Sequence, residues 1–270
     1  MQNFYIISNT NKDLDGNFSK QIIEYLHMKN VNVYTDNDNC DADEIDVVIV
    51  LGGDGTLLKA VSDFNGSNAL FMGINIGTLG FLTDADMNSY MQCLDKVISN
   101  DYIVDERMMI SGSIYRDGTL VYQNTALNDI VVNRYGNLRI IDFDIYVNGQ
   151  YLSSYSADGV IISTATGSTA YSLSAGGPII QPNAELIMLT PICPHTLNKR
   201  SIIFGPKDRV VIKMCDCKKL SEKRIATFDG EHYFELNTND EIVITRSTTT
   251  TRLLKTNNDS FLLRVREKLM

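Results

Sequence analysis

The sequence predicts a chain of class α/β + β, with an N-terminal Rossmann-like or flavodoxin-like α/β domain and a C-terminal β-sandwich domain. Three observations predict it. Strand and helix signals alternate over the first hundred or so residues, short alternating β segments follow, and 270 residues with 44% hydrophobic content suffice for two buried cores.

In the first part "NFYIIS" is a β-rich run, "NFSKQIIEYLHMK" puts Ile22, Ile23 and Leu26 at helical spacing, and "VNVYT" returns to β texture. "EIDVVIVLGGDGTLLKAVSDF" repeats strand, turn and helix, "ALFMGINIG" adds a strand and "MNSYMQCLDKVISN" a helix. The strands are almost continuously apolar, as parallel strands covered on both faces must be. After about Asp101 the texture changes to segments such as "MMISGSIYR", "LVYQNTALNDIVVNR", "RVVIKMC" and "DEIVITRS", with Asp117-Gly118 and Asn148-Gly149 as hairpin turns. One helical insertion is expected at "TAYSLSAGG", starting from Thr169-Ala170-Tyr171 and stopped by Gly176 and Gly177. The final "NNDSFLLRVREKLM" reads as an amphipathic helix with Phe261, Leu262 and Val265 on its apolar face, returning to the first domain. The expected boundaries are residues 1–100, completed by about 252–270, and residues 101–251.

A net charge of −9 argues against nucleic acid or an anionic membrane as partner, since either would be repelled at long range. No apolar run reaches the roughly eighteen residues that span a bilayer, and "MQNFYIISNT" lacks the pattern of a secretory signal, so a cytoplasmic chain is expected. The five cysteines, Cys40, Cys93, Cys193, Cys215 and Cys217, are scattered without a CxxC pair or zinc-ligand spacing. They read as reduced structural thiols, and no protein-held metal site is legible.

Three segments carry chemistry. In "LGGDGT" the glycines let a ligand lie against the main chain, yet Asp54 stands where a helix N-terminus would attract an anion. There is no GK[ST] and no GxGxxG, so neither a Walker loop nor a dinucleotide fingerprint is present. From this loop alone Asp54 or Thr56 could equally be a helix cap. The second segment, "SSYSADGVIISTATGSTAYSLSAGGPII", is dense in glycine, small hydroxyls and alanine, with room for a flat group or a phosphate. The third is "ALNDIVVNR", where Asn128 and Asp129 bring an amide and a carboxylate into an apolar strand. Burying them is costly without partners, and the pair suits a sugar diol or an adenine edge. His195, in "CPHTL", is read as a structural hydrogen-bonder, and the acidic run "DNDNCDADE" as a solvated loop.

Taken in order, "GGDGT", "NIGTLGFLT", "LND", "DGVIISTATGSTAYSLSAGGP", "ICPHTL" and the later "FDG" resemble the ATP-dependent NAD kinase family over nearly the whole chain. The resemblance implies a kinase that phosphorylates the 2′-hydroxyl of the adenosine ribose of NAD to give NADP, with Asp54 as proton acceptor. It implies NAD-binding roles for Asp54, Gly55, Lys59, Phe81, Asn128, Asp129, Arg139, Ser156 and Asp158. The run Thr169, Ala170, Tyr171, Ser172, Leu173 and Ser174 joins them, as does Glu231. The donor would be ATP, or inorganic polyphosphate, with Mg²⁺ carried by the phosphates. A homodimer or homotetramer is implied too, because Asp158 and its neighbours in related proteins reach a ligand of the adjacent subunit.

Four positions depart from the family's pattern. Asp129 replaces the usual Glu and is one methylene shorter, Ala165 stands where Pro is frequent, Ser156 precedes Ala157-Asp158 in place of a basic residue or Gly, and Glu231 replaces Gln. A lipid kinase of the diacylglycerol type is a competing reading, opposed by "GSTAYSLSAGGP". A dinucleotide sensor without turnover is another, opposed by Asp54.

Overall fold

The computed structural model describes residues 2–269 apart from 39, 78–79, 137–138, 196–198, 217–222 and 258–260. Cys217 lies outside the described residues. The chain divides into two compact units, Met1–Arg107 with Thr251–Met270, and Met108–Thr250.

The first unit opens β1 (Asn3–Ser8), α1 (Asn17–Met28), β2 (Asn32–Tyr34), β3 (Val47–Gly52), α2 (Asp54–Asp63), β4 (Leu70–Asn75), β5 (Ala85–Asp86) and α3 (Tyr90–Ile98). Its strands run parallel in the order β2-β1-β3-β4, with β5 also beside β4. Both faces are covered, which is why β3 and β4 are buried at every residue. On one face Phe4, Ile6, Ile49 and Met72 share a core with Ile22 and Leu26 of α1 and Leu94 and Val97 of α3. On the other, Phe64 at the end of α2 meets the edge of Tyr5 and of Phe71. The strand order reverses between β1 and β3, so the open crevice for a ligand lies off the carboxyl ends of those two strands.

The second unit is all β apart from one insertion. Its strands are β6 (Ile103–Arg116), β7 (Thr119–Ala126), β8 (Asp129–Tyr135), β9 (Ile141–Val147), β10 (Gln150–Ala157) and β11 (Gly159–Ser163), followed after the insertion by β12 (Ile187–Ile192), β13 (Ile202–Phe204), β14 (Val210–Met214), β15 (Lys223–Phe228), β16 (His232–Leu236) and β17 (Glu241–Lys255). One sheet has the order β13-β12-β11-β8-β15-β16; the facing sheet runs β10-β9-β14-β17. Alternate residues from both sheets fill one core: Ile130, Val160 and Phe228 from the first meet Phe143, Ile212 and Ile242 from the second. Residues of opposite parity, Val131 and Ile161, form a small cluster on the outer face of the first sheet, against which Ala175 packs. That contact seats the insertion between β11 and β12. The expected helix starting at Thr169 is instead a 3₁₀ turn, Thr166–Thr169, followed by a single helical turn α4, Tyr171–Ser174. Its hydroxyls bond the backbone of their own loop and break the helical ladder.

The chain then returns to the first unit. Leu253 of β17 pairs in parallel with Phe71, Leu254 enters the first core, and α5 (Phe261–Leu269) closes the chain. The expected apolar face of this helix needs correction: Leu262 is exposed, Phe261 and Val265 are partly exposed, and the residue buried is Arg264. The guanidinium is tolerated because two backbone carbonyls receive it.

Candidate active site

In the first unit β3 stops at Gly52, and α2 starts at Asp54. Gly53 is the N-cap, and no side chain caps the helix. Asp54 is therefore not a cap. Its carboxylate reaches across to another loop, where Oδ2 accepts the amide of Phe81 at 2.7 Å and Oδ1 that of Leu82 at 3.0 Å. Gly80 makes this possible: a Cβ there would stand 2.0 Å from Oδ1. Thr56, the other cap candidate, accepts a hydrogen bond from Asn9 Nδ2 at 3.0 Å. Gly55 and Lys59 are exposed on α2, and the half-buried Phe81 ring lies 4.5 Å from the Lys268 ammonium.

A cation that the motifs did not reveal completes this end of the unit. Lys12, in the loop after β1, carries its ammonium 3.6 Å from the point a Cβ on Gly53 would occupy and 3.5 Å from the same point on Gly77. Lys12 forms no ion pair among the described residues. Its position at the β1–β3 switch point was the available signal, since that crevice is where an open parallel sheet receives a ligand.

In the second unit Asn128 directly precedes β8 and Asp129 opens it. Both are buried, at 7% and 6% exposure. Their backbone is held by Asp229, a residue sequence reasoning passed over within "FDG". Its carboxylate accepts three successive amides, from Leu127 at 2.7 Å, Asn128 at 2.8 Å and Asp129 at 3.0 Å. From the other side Thr164 Oγ1 donates to Leu127 O at 2.6 Å, and Gly167 lies so close that a Cβ would meet Asn128 O at 2.1 Å. The glycine of "TGST" thus lets the 3₁₀ turn close on Asn128. Asn128 Oδ1 is buried and accepts no hydrogen bond from the described residues.

Burial, aided by the charge of Asp229, pushes the Asp129 carboxyl up to about 7. Burial also raises Asp229, to about 6, against the pull of its three amides and with the help of Glu231. Asp229, with three N–H donors on it, keeps its charge the more readily of the two. Asp129 is the carboxyl that holds a proton near neutrality, and a neutral carboxyl can both donate and accept.

Tyr171 opens α4 with its ring partly exposed; burial and the negative field of Cys193, Asp158 and Asp129 raise its phenol. Asp158 pairs with Arg134, Nε to Oδ1 at 2.6 Å, another partner the motifs did not name. Ser172 is buried, its hydroxyl 3.1 Å from Thr190 Oγ1; Thr169, Ala170 and Leu173 are half-buried and Ser174 exposed. Ser156 donates from its hydroxyl to Asp142 and accepts at its carbonyl the His195 amide at 2.8 Å. Glu231 is exposed in the turn after β15. Arg139 is exposed ahead of β9 and makes no hydrogen bond or ion pair among the described residues.

A carboxylate presented on a glycine turn at the switch point of a doubly wound sheet, with an ammonium over the same glycine turn that forms no ion pair among the described residues, is equipment for moving a proton near phosphates. The buried amide and carboxyl of the second unit are equipment for a nucleoside. Each is equipment of the kind a nucleotide-dependent phosphotransferase uses. Residues 5–102 match the ATP-NAD kinase N-terminal domain and residues 127–256 the ATP-NAD kinase C-terminal domain. An NAD kinase of Lachnospira eligens is 50% identical with both chains wholly covered, and one of Lachnoclostridium phytofermentans is 40% identical over 99% of each. Among solved structures, yeast NADH kinase complexed with NADH superposes with a TM-score of 0.88 at 27% identity, covering 100% of this chain and 87% of that one. An Archaeoglobus fulgidus NAD kinase in complex with ATP gives 0.80 at 25% identity, covering 99% and 98%. The chain belongs to the ATP-NAD kinase family.

Proposed function

We propose that the chain transfers the γ-phosphoryl group of ATP to the 2′-hydroxyl of the adenosine ribose of NAD, giving NADP and ADP, with Asp54 as general base. The hydroxyl oxygen bonds to the γ-phosphorus, the bond from that phosphorus to the ADP oxygen breaks, and the hydroxyl proton passes to Asp54. The observation that carries this reading is how Asp54 is held. Each carboxylate oxygen takes one backbone N–H, which orients the group and leaves a lone pair on each oxygen for a hydroxyl. A cap would have spent the side chain on its own helix.

The orphan Oδ1 of Asn128 supports a nucleoside ligand, because it lacks the N–H or O–H donor that an adenine amino group or a ribose hydroxyl would supply. Asp129, able to donate and accept, suits the ribose diol. Tyr171, with its neighbours Thr169, Ala170, Ser172, Leu173 and Ser174, offers a ring and small groups for the rest of the dinucleotide, and Asp158 is held in place by Arg134. Gly55, Lys59, Phe81, Arg139, Ser156 and Glu231 enter the same proposal from the family resemblance. Lys12 is placed to attract the donor's phosphates.

The described residues contain no group of three His, Cys, Asp or Glu side chains that could cage a metal ion. This donor set does not fit a protein-held ion. A Mg²⁺ ion that travels on the nucleotide's phosphates needs no such cage, and it supplies charge neutralisation there. We place the enzyme in the cytoplasm as a homodimer or homotetramer, supported by the family resemblance; no described helix is long and apolar enough to cross a membrane.

The test is NADP formation from NAD, ATP and Mg²⁺, run with wild type and Asp54→Asn. Wild type should turn over and the variant should lose at least about a hundredfold in kcat. Binding of NAD without turnover, with ATP or with polyphosphate, would make the chain a sensor. Full activity in Asp54→Asn would remove the base assignment.

A further inference from the structure

We propose that Arg264 of the C-terminal helix is a positioning residue for Asp54, acting through the peptide that joins Phe81 to Leu82. The proposal rests on the reading of Asp54 as the base. Arg264 is 6% exposed, and its Nη1 donates to Phe81 O at 2.9 Å and to Thr83 O at 2.5 Å. The Phe81 carbonyl and the Leu82 amide belong to one planar peptide unit. That unit therefore receives a charged donor at its oxygen and gives its own hydrogen to Asp54 Oδ1 at 3.0 Å. The preceding unit gives the Phe81 amide to Oδ2 at 2.7 Å. A rigid peptide held at its oxygen fixes its N–H, and a charged donor on the carbonyl polarises the N–H towards Asp54.

Two further observations make the clasp specific to this loop. The same helix places Lys268 Nζ 4.5 Å from the centroid of the Phe81 ring, so α5 grips Phe81 by both backbone and side chain. The charge of Arg264 is balanced from within the unit by the buried Asp84, whose Oδ1 lies 4.0 Å from Arg264 Nη2 and 3.8 Å from Lys255 Nζ, and whose Oδ2 accepts the amide and hydroxyl of Thr256 at 2.7 Å each. Burying an arginine is costly compared with a well-packed apolar residue. A helix that merely had to dock could have used its apolar residues, yet Leu262 is left exposed and Arg264 is inside.

The experiment measures kcat and both KM values for the full chain carrying Arg264→Lys, Arg264→Ala and Asp54→Asn, and for each arginine variant combined with Asp54→Asn. Arg264→Lys keeps the charge but not the planar guanidinium that holds Nη1 on the two carbonyls while Nη2 faces Asp84, and should lower kcat about 10- to 100-fold with KM for NAD and ATP within about twofold. On the Asp54→Asn background the same change should cost less than about twofold, because the group it positions is already gone. Ethylguanidinium added to Arg264→Ala should restore part of kcat. Unchanged kcat in Arg264→Lys, an equal loss in both backgrounds, or no rescue of a folded Arg264→Ala would overturn the proposal. Should Arg264→Ala fail to fold, the cycle built on Arg264→Lys decides. A wild-type rate in Asp54→Asn alone marks failure of the base reading instead.

Discussion

The amide of Phe81 donates to Asp54 Oδ2 at 2.7 Å across 27 residues of chain, and Gly80 is what lets the two loops come that close. A methyl group at Gly80 would overlap Oδ1, so Gly80→Ala must displace the carboxylate, the loop or both. A displacement of about 1 Å at a reacting group costs on the order of a hundredfold in rate. The variant should therefore lose about that much kcat while still binding NAD, which steady-state kinetics and NAD titration would separate. Retention of full kcat would mean that the carboxylate can work from another position.

Asp229 anchors the backbone of Asn128 and Asp129 in the second unit. Asp229→Asn replaces one carboxylate oxygen with an amide donor facing an N–H of the Leu127–Asp129 stretch. One buried amide left unpaired costs about 1–3 kcal/mol. Urea unfolding should show a loss of that size, and KM for NAD should rise as Asn128 and Asp129 lose their anchor.

Asp129 and Asp229 make stability depend on pH in an unusual direction for carboxylates. Both hold their proton more tightly folded than at the unfolded value of 3.8, so the folded state binds more protons between the two limits. Their contribution is complete below about pH 4 and is lost as pH rises through about 6 to about 7. Asp129→Asn should flatten the fall in melting temperature between pH 4 and pH 7; a slope identical to wild type would show that the pair is not the source.

Lys12 is exposed and forms no ion pair among the described residues, so Lys12→Gln should leave the melting temperature unchanged. The loss of one charge-assisted contact to phosphate, about 1.5–3 kcal/mol, predicts a fall of roughly 10- to 100-fold in kcat/KM for ATP. KM for NAD should stay near wild type. An effect on NAD alone would move the lysine out of the donor's path.

Much of this arrangement was legible in the chain. Periodicity separated α/β from β texture because a buried parallel strand and a half-covered antiparallel strand leave different apolar patterns. Asn128 and Asp129 stood out because polar groups in an apolar run need a reason, but the expectation that they interrupt a strand needs correction: Asn128 precedes β8 and Asp129 is its first residue. The insertion after β11 was harder: glycine, serine and threonine marked it, but whether they would make a helix or a 3₁₀ turn depended on hydroxyls finding backbone carbonyls. Asp229, Arg134 and Lys12 carried no local pattern, since each acts on residues distant in sequence or on a turn it does not belong to. In α5 the spacing Phe261, Arg264, Val265, Lys268 set two cations among the apolar positions, a signal that an amphipathic reading treats as noise.

By itself the sequence determined the two-part architecture, the segments that carry chemistry and the kinase family they resemble, because these rest on periodicity and on contiguous motifs. The loop alone left Asp54 poised between helix cap and reacting group, and the motifs around it weighted the second. Only the tertiary structure removed the cap reading, by leaving the helix without a side-chain cap and bringing the Phe81 and Leu82 amides to the carboxylate, with Arg264 on the carbonyl behind them. Hydrogen bonds between residues so far apart in sequence exist only once the chain has folded, and no local pattern encodes their geometry.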